Sequence, residues 1–438
     1  MNNIILFQIF FIWFIGILIY KKLRNRDNRV PIDDPGFIWL LALIVYGTLP
    51  ATYWLLIGGE YTPLNARLFL LQPSSDTIYN LLNIVISYVL GFSFIYFLFN
   101  NKVPSNNHQL PKISQPIIIS SFIIIILSII LTYSVIDIFN IQTASSRLEA
   151  YSIARQLPLG VRQLIKVVTI LKPFSILVII VALFQAHNKK LWLLWFYILF
   201  LFIDLTSGGR SESFFGFFSI IICWNSFIKP ISSIKLIIGG VVGLILFLFI
   251  GIFRELGNDG FIFYGFGEFD ALWANAVELY QARTSNYISM PFSTRFNDFW
   301  ALIPSQFLWF PKQSPSIWFI QNYHYDYWKA GGGFAFGAIA EASYGSGVIE
   351  GLIRGSLLGI IFIKFMQWFR HSGKWWIFPI QLYLTISIYQ CVRDTSFRFI
   401  VDLGQNVIPA ILFMIILLYR IFLILEYISL EDRHSMNS

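Results

Sequence analysis

The sequence predicts an all-α protein that crosses a bilayer many times. Three observations carry this: an excess of apolar residues, a scarcity of charge, and apolar runs of span length separated by short cationic loops. Hydrophobic residues make up 57% of the 438 positions and charged residues 12%, where a soluble domain carries about 25% charged residues. With 31 Lys and Arg and 23 Asp and Glu, a water-soluble fold of this length could not cover its surface. The mean hydropathy of +0.68 and the 45 phenylalanines agree with this. At roughly 20 residues per span, the length allows about ten to twelve helices.

Taken in order, the apolar runs define eleven spans at 2–20, 37–57, 78–99, 116–136, 167–186, 191–205, 214–228, 236–253, 346–367, 375–392 and 404–426. The first lacks a small-residue cleavage site before Lys21, so it reads as a retained span and not as a secretory leader. The sixth and seventh are short and form a tight pair around the TSGGRSES loop (206–213). Three segments follow from these spans: helices one to eight (1–253), a long loop (254–345), and helices nine to eleven with a tail (346–438). Cys223 and Cys391 both fall in apolar stretches, so no disulfide framework is implied.

The loops give the orientation. Lys21, Lys22, Arg24, Arg26 and Arg29 follow the first span; Lys102 and Lys112 the third; Lys189 and Lys190 the fifth; Lys229 and Lys235 the seventh; Arg370 and Lys374 the ninth. Short cationic loops belong on the cytoplasmic side, which leaves the N-terminus outside and the C-terminus, with Arg433, inside. The net charge of +8 is therefore distributed between hydrophobic runs, which excludes a soluble nucleic-acid binder.

The two sides differ in the kind of cation they carry. Lysine predominates inside, whereas the outer segments hold Arg67, Arg147, Arg155, Arg162, Arg210, Arg254, Arg283, Arg295, Arg393 and Arg398, with only Lys166, Lys312 and Lys329. A planar guanidinium suits bidentate binding of phosphate or carboxylate. Two readings follow: these arginines bind an anionic ligand, or they pair with the outer Asp and Glu residues.

The loop 254–345 is the longest connection and too aromatic for a solvated coil. Within it, Phe269 to Arg283 shows helical apolar spacing through Leu272, Trp273, Val277 and Tyr280. Asn297 to Phe310 reads similarly, interrupted by Pro304. Of five histidines, only His324, in QNYHYDYW, lies outside; there it can serve as a base or as an interfacial residue among aromatics. Glu341 opens EASYGSGVIEG at the start of span nine, where a carboxylate also suits the helix dipole. Glu350 and Arg354 stand one helical turn apart and should pair, and Gly345, Gly347, Gly351 and Gly355 allow close helix contact. Gly208-Gly209-Arg210 and Arg393-Asp394-Thr395-Ser396-Phe397-Arg398 place arginines in short outer connections, where cations are normally avoided; local pairs of Arg393 with Asp394 and of Arg398 with Asp402 are the alternative. P-loop, dinucleotide-glycine, HExxH, Cys/His-cluster and paired-carboxylate metal motifs do not occur in the sequence.

ALIPSQFLWFPKQSP (301–315), EASYGSGVIEGLIRG (341–355) and TSGGRSESFF (206–215) resemble the loose motifs of O-antigen polymerases, the Wzy-type polymerases of oligosaccharide repeat units. Phe310 between Trp309 and Pro311, and Ala342-Ser343, depart from that pattern. The resemblance covers nearly the whole chain in topology and loop placement. It implies a GT-C-like membrane glycosyltransferase of the bacterial inner membrane that acts on the periplasmic side without metal or other cofactor. Its substrates would be undecaprenyl-pyrophosphate-linked glycans, for O-antigen or capsular polysaccharide. One chain would pass en bloc to a new repeat unit, releasing undecaprenyl pyrophosphate. A chain-length regulator protein is the partner the family implies, beside the membrane lipids. Under that chemistry Arg210, Arg254, Arg393 and Arg398 would bind the pyrophosphate, and His324 or Glu341 would accept the hydroxyl proton. Trp300, Trp309, Tyr323, Tyr325 and Tyr344, with Trp318 and Tyr327, would stack on sugars or anchor the interface. An O-antigen ligase uses the same donor and differs only in acceptor, and a lipid-linked oligosaccharide flippase or other transporter is the alternative of another class. A transporter should show repeat symmetry and midplane charges, neither of which the sequence displays.

Overall fold

The computed structural model describes residues 1–62, 66–99, 112–138, 157–185, 210–243, 267–285, 287–329, 333–372 and 374–420, with Ile198 alone between them. The described residues contain helices and no strand. Span six apart from Ile198, residues 206–209 of the TSGGRSES loop, Arg254 and the start of the long loop lie outside them, as do Arg147, Arg155 and the tail.

In chain order the helices are α1 (Asn2–Asp27), α2 (Pro35–Leu56), α3 (Ala66–Leu71), α4 (Ser75–Phe99), α5 (Gln115–Ile138), α6 (Leu159–Gln185) and α7 (Arg210–Phe227). There follow α8 (Ser233–Gly243), then α9 (Gly267–Ser285), α10 (Phe292–Arg295), α11 (Asn297–Trp300), α12 (Pro315–Tyr323), α13 (Tyr325–Lys329) and α14 (Ala338–Tyr344). The last are α15 (Val348–His371), α16 (Ile377–Ser387), α17 (Gln390–Arg393) and α18 (Arg398–Arg420). Four of them, α1, α2, α4 and α18, are long and apolar enough to cross a membrane. Helix α15 has the length, but Glu350, Arg354 and Lys364 lower its apolar character. The expected span 375–392 is broken after Ser387 into α16 and α17.

Contacts divide the chain into two compact units. The first contains residues 1–108, 224–372 and 384–401; the second contains 109–223, 373–383 and 402–438. These borders cut across the segments expected from the apolar runs, because the helices of the long loop bury their apolar faces in the same unit as α1, α2, α4 and α15.

In the first unit, α1 buries Ile5, Ile9, Ile12, Ile19 and Leu23 at three-, four- and seven-residue spacings and leaves Phe7, Phe10 and Phe14 exposed. One stripe therefore faces protein and the other suits lipid. Arg24 and Arg26 in its last turn complement the helix dipole, and Asn28 ends it in the left-handed conformation at φ 50°. Asp34 starts α2 by accepting from the N–H groups of Gly36 at 3.0 Å and Phe37 at 3.2 Å, with Pro35 at the first helical position. Helices α4 and α15 approach backbone to backbone. A Cβ at Gly351 would strike Ser87 Oγ, and one at Gly355 would strike the Tyr88 carbonyl; from the other side, a Cβ at Gly91 would strike the Leu352 carbonyl. Small residues at four-residue spacing let membrane helices pack this closely.

The loop helices fold onto this bundle. Helix α9 buries Leu272, Trp273, Ala276 and Val277, and the Trp273 indole N–H donates to the Tyr46 carbonyl at 2.9 Å. Helix α14 is buried along its whole length. The expected helix in 269–283 is present, and one face of it is core.

In the second unit, α5 and α6 pack against each other, and Ile113 N–H donates to Gln185 Oε1 at 3.0 Å. Helix α6 also meets a π-helical turn, Leu403–Val407, within α18.

Candidate functional site

Two polar clusters occupy the end of the first unit where α2 ends and α4 and α15 begin. The first is built on α14, α15 and the segment 394–398. Glu341 is 3% exposed and accepts from Ser396 N–H at 3.0 Å and Ser396 Oγ at 2.8 Å. Its other oxygen pairs with Arg354 at 2.9 Å. Arg354 also binds Glu350 one turn away at 2.7 Å, as their spacing predicts. The second oxygen of Glu350 accepts from Ser346 N–H at 2.9 Å and binds Arg295. The Tyr88 hydroxyl joins this set through Ser396 Oγ at 3.0 Å and the Ala338 carbonyl at 3.2 Å.

Asp394 extends the cluster to α12 and α18. It accepts from Ser316 Oγ at 2.6 Å and from Arg398 at 3.1 Å. Asp298 on α11 is 7% exposed. Burial, reinforced by the nearby charges of Glu341 and Asp394, pushes its carboxyl up to about 7.

The second cluster is centred on Arg67, between α2 and α4. Its guanidinium donates to Asn275 Oδ1 at 2.6 Å and to the Ala271 carbonyl at 3.2 Å, and it lies 4.0 Å over the Phe334 ring. Asn275 is oriented in turn by donating to the carbonyls of Ala335 at 2.6 Å and Phe336 at 3.2 Å. Arg67 pairs with Glu278 at 3.4 Å, and Glu278 meets His324 Nε2 at 2.9 Å. The His324 ring stands edge-on to Phe319 at 5.4 Å and Phe334 at 5.2 Å. Asp270 starts α3, accepting from the N–H groups of Arg67 and Leu68 through one oxygen. Its other oxygen is buried with no hydrogen-bond partner among the described residues. Burial pushes this carboxyl up to about 7.

Chemically, the first cluster is a charge lattice with one carboxyl at its edge, Asp298, whose proton affinity burial raises. The second presents an imidazole against a carboxylate. Comparison with family models, with curated proteins and with solved structures gave no match.

The residues singled out in the sequence fall into distinct groups. Glu341 and Arg398 belong to the first cluster and His324 to the second. Glu341 is enclosed by its partners, whereas Arg398 keeps 37% of its side chain exposed. Arg393, in α17, is half-buried. Arg210 begins α7, and its side chain lies outside the described set, as does Arg254.

Of the aromatics, Trp309 is 92% exposed and Tyr325 is 56% exposed. Trp300 packs against Phe310 and Tyr323 against Trp318. Tyr344 is buried, stacked on Tyr287 at 5.5 Å, and its hydroxyl donates to the Ile288 carbonyl at 3.1 Å; its ring faces are covered. Asn275, Glu278 and Asp298 carried no assigned role in the sequence. Ala271, Asn275 and Glu278 recur at helical spacing along α9, the one signal in the sequence that could have grouped them.

Proposed function

We propose that the chain polymerises polyprenyl-pyrophosphate-linked oligosaccharide repeat units at the outer leaflet of a bacterial inner membrane. In this reading eleven spans in a GT-C-like arrangement carry the long loop on the periplasmic side. The acceptor hydroxyl attacks the donor's anomeric carbon, the bond from that carbon to the pyrophosphate oxygen breaks, and undecaprenyl pyrophosphate leaves. His324 takes the hydroxyl proton. Arg398, whose contact with Asp394 is exposed and hence weak, can exchange it for a phosphate oxygen. Arg393 joins Arg398 in the anion site, while Trp300, Trp309, Tyr323 and Tyr325 hold sugar rings. A chain-length regulator binds as partner.

The observation that carries this reading is the His324–Glu278 contact at 2.9 Å at the same end of the bundle as Arg398 and the exposed Tyr325. The motifs in 301–315 and 341–355 support it independently. The test is purified protein in lipid supplied with lipid-pyrophosphate-linked repeat units. Wild type yields a ladder of polymers and releases polyprenyl pyrophosphate; His324→Gln loses the ladder while its thermal unfolding stays unchanged. A normal ladder from His324→Gln removes the base assignment. Transfer only to lipid A core, with no ladder, makes the chain a ligase, and movement of intact donor across the bilayer makes it a flippase.

A further inference from the structure

Glu278 Oε2 lies between two nitrogens, 2.9 Å from His324 Nε2 and 3.4 Å from Arg67. Arg67 itself approaches His324 Nε2 to 3.3 Å. These contacts demand opposite tautomers. An ionised carboxylate only accepts, so its contact needs a proton on Nε2; a guanidinium only donates, so its contact needs a lone pair there. The shorter contact is the carboxylate's. Arg67 has other acceptors in Asn275 Oδ1, the Ala271 carbonyl and Glu278 itself, so it loses little by giving up the imidazole. Glu278 is held in place by Arg67, Arg67 by Asn275 and Phe334, and Asn275 by the carbonyls of Ala335 and Phe336.

We infer that Glu278 is a positioning residue that fixes His324 as the Nε2–H tautomer and leaves Nδ1 as the proton acceptor. Nδ1 has no hydrogen-bond partner among the described residues. The Glu278 contact at Nε2 and the edge-on packing of Phe319 and Phe334 together hold the ring, so the lone pair on Nδ1 has one direction. A carboxylate that orients an imidazole in this way also stabilises the imidazolium formed when the proton arrives. The tautomer stands on geometry alone; its use in catalysis rests on the reaction proposed above.

The experiment labels the histidines of the full chain with nitrogen-15 and reads their chemical shifts in lipid nanodiscs, at a pH where imidazole is neutral. His324 is identified by the signal lost in His324→Gln. Wild type and Glu278→Asp should show a protonated Nε2 and a bare Nδ1, and Glu278→Gln, whose amide offers both a donor and an acceptor, a mixture. A proton on Nδ1 in wild type, or no change in Glu278→Gln, overturns the inference. In polymer formation, Glu278→Gln should lower kcat at least ~10-fold with KM unchanged, and Glu278→Asp should recover most of it. If the tautomer is as stated but His324→Gln and Glu278→Gln both polymerise normally, the catalytic role falls while the polymerase reading and the tautomer stand; if wild type makes no polymer, the polymerase reading falls and the tautomer stands.

Discussion

The two ends of the helical bundle in the first unit carry charge in different ways. At one end Asp27 binds Arg370 through both oxygens, at 2.8 and 2.7 Å, and Arg26 at 2.6 Å. Asp33 pairs with Arg29 at 2.6 Å, and Asp34 accepts from the Tyr96 hydroxyl at 2.8 Å. Three guanidiniums thus face three carboxyls in a cluster whose Asp27 and Arg370 side chains are 1% and 4% exposed. At the opposite end Arg295, Arg354 and Arg398 face Glu341, Glu350, Asp394 and Asp298, and Arg67 faces Glu278 and Asp270. Among these pairs carboxyls outnumber guanidiniums, and burial raises the affinity of Asp298 and Asp270 for protons, as it does that of Asp34 at the first end. The balanced end is a clasp. Two carboxyls at the second end therefore favour their protonated form more than an ordinary carboxyl does.

The largest expected effect tests the clasp. Asp27→Ala leaves Arg370 buried without its carboxylate and Arg26 with Asp34 alone, and should cost about 3–5 kcal/mol of stability, read as thermal unfolding in detergent. The double change Asp27→Leu with Arg370→Met should recover most of that loss and leave polymer formation intact. If the double variant folds but makes no polymer, the ends do not differ as stated.

The next effect concerns the excess carboxyls. The folded value of about 7 for Asp270 and for Asp298 lies above the ordinary carboxylate value, so the folded chain binds more protons than the unfolded chain in between. Their contribution to stability is complete below about pH 4 and is lost as the pH rises through about 7. Asp270→Asn with Asp298→Asn should flatten that fall in unfolding temperature between about pH 5 and about pH 8. An unchanged slope would show that neither carboxyl is protonated in the folded chain. The smallest effect on stability is expected from Arg398→Ala, whose exposed pair with Asp394 contributes about 0.2–1 kcal/mol. Polymer length should nevertheless fall sharply on a gel. A full-length ladder would assign Arg398 to the surface and not to the anion site.

Much of the fold is legible in the sequence because lipid imposes long apolar runs. The expected starts of α2, α4, α5 and α15 lie within three residues of the observed ones. Helix α1 outlasts its apolar run by seven residues, ending at Asp27 where the run ends at Tyr20. Hydropathy marks where lipid stops, whereas the helix continues as far as Arg24 and Arg26 suit its C-terminal dipole. The break after Ser387 has no Gly or Pro to announce it. The site is less legible. Glu350 and Arg354 are readable because they are neighbours on one helix, but Arg67 reaches Glu278 across 211 positions and His324 across 257. The arginines of the outer segments invited an anion-binding reading. Arg67 and Arg295 each hold a carboxylate, 211 and 55 positions away, pairings that sequence distance conceals, whereas Arg398 holds Asp394 only four positions before it.

The glycine seam between α4 and α15 has a mechanical side. Gly351, Gly355 and Gly359 recur every four residues, so sliding α15 by one turn, about 6 Å, would again bring glycine opposite the α4 backbone. The glycines therefore set how near the helices lie, and other contacts set their register. The two ends of α15 are tied to other helices, by Arg370 to Asp27 on α1 and by Arg354 to Glu341 on α14. The two charged clusters thus anchor α15 at both ends to the helices around it, with a smooth glycine rail between them.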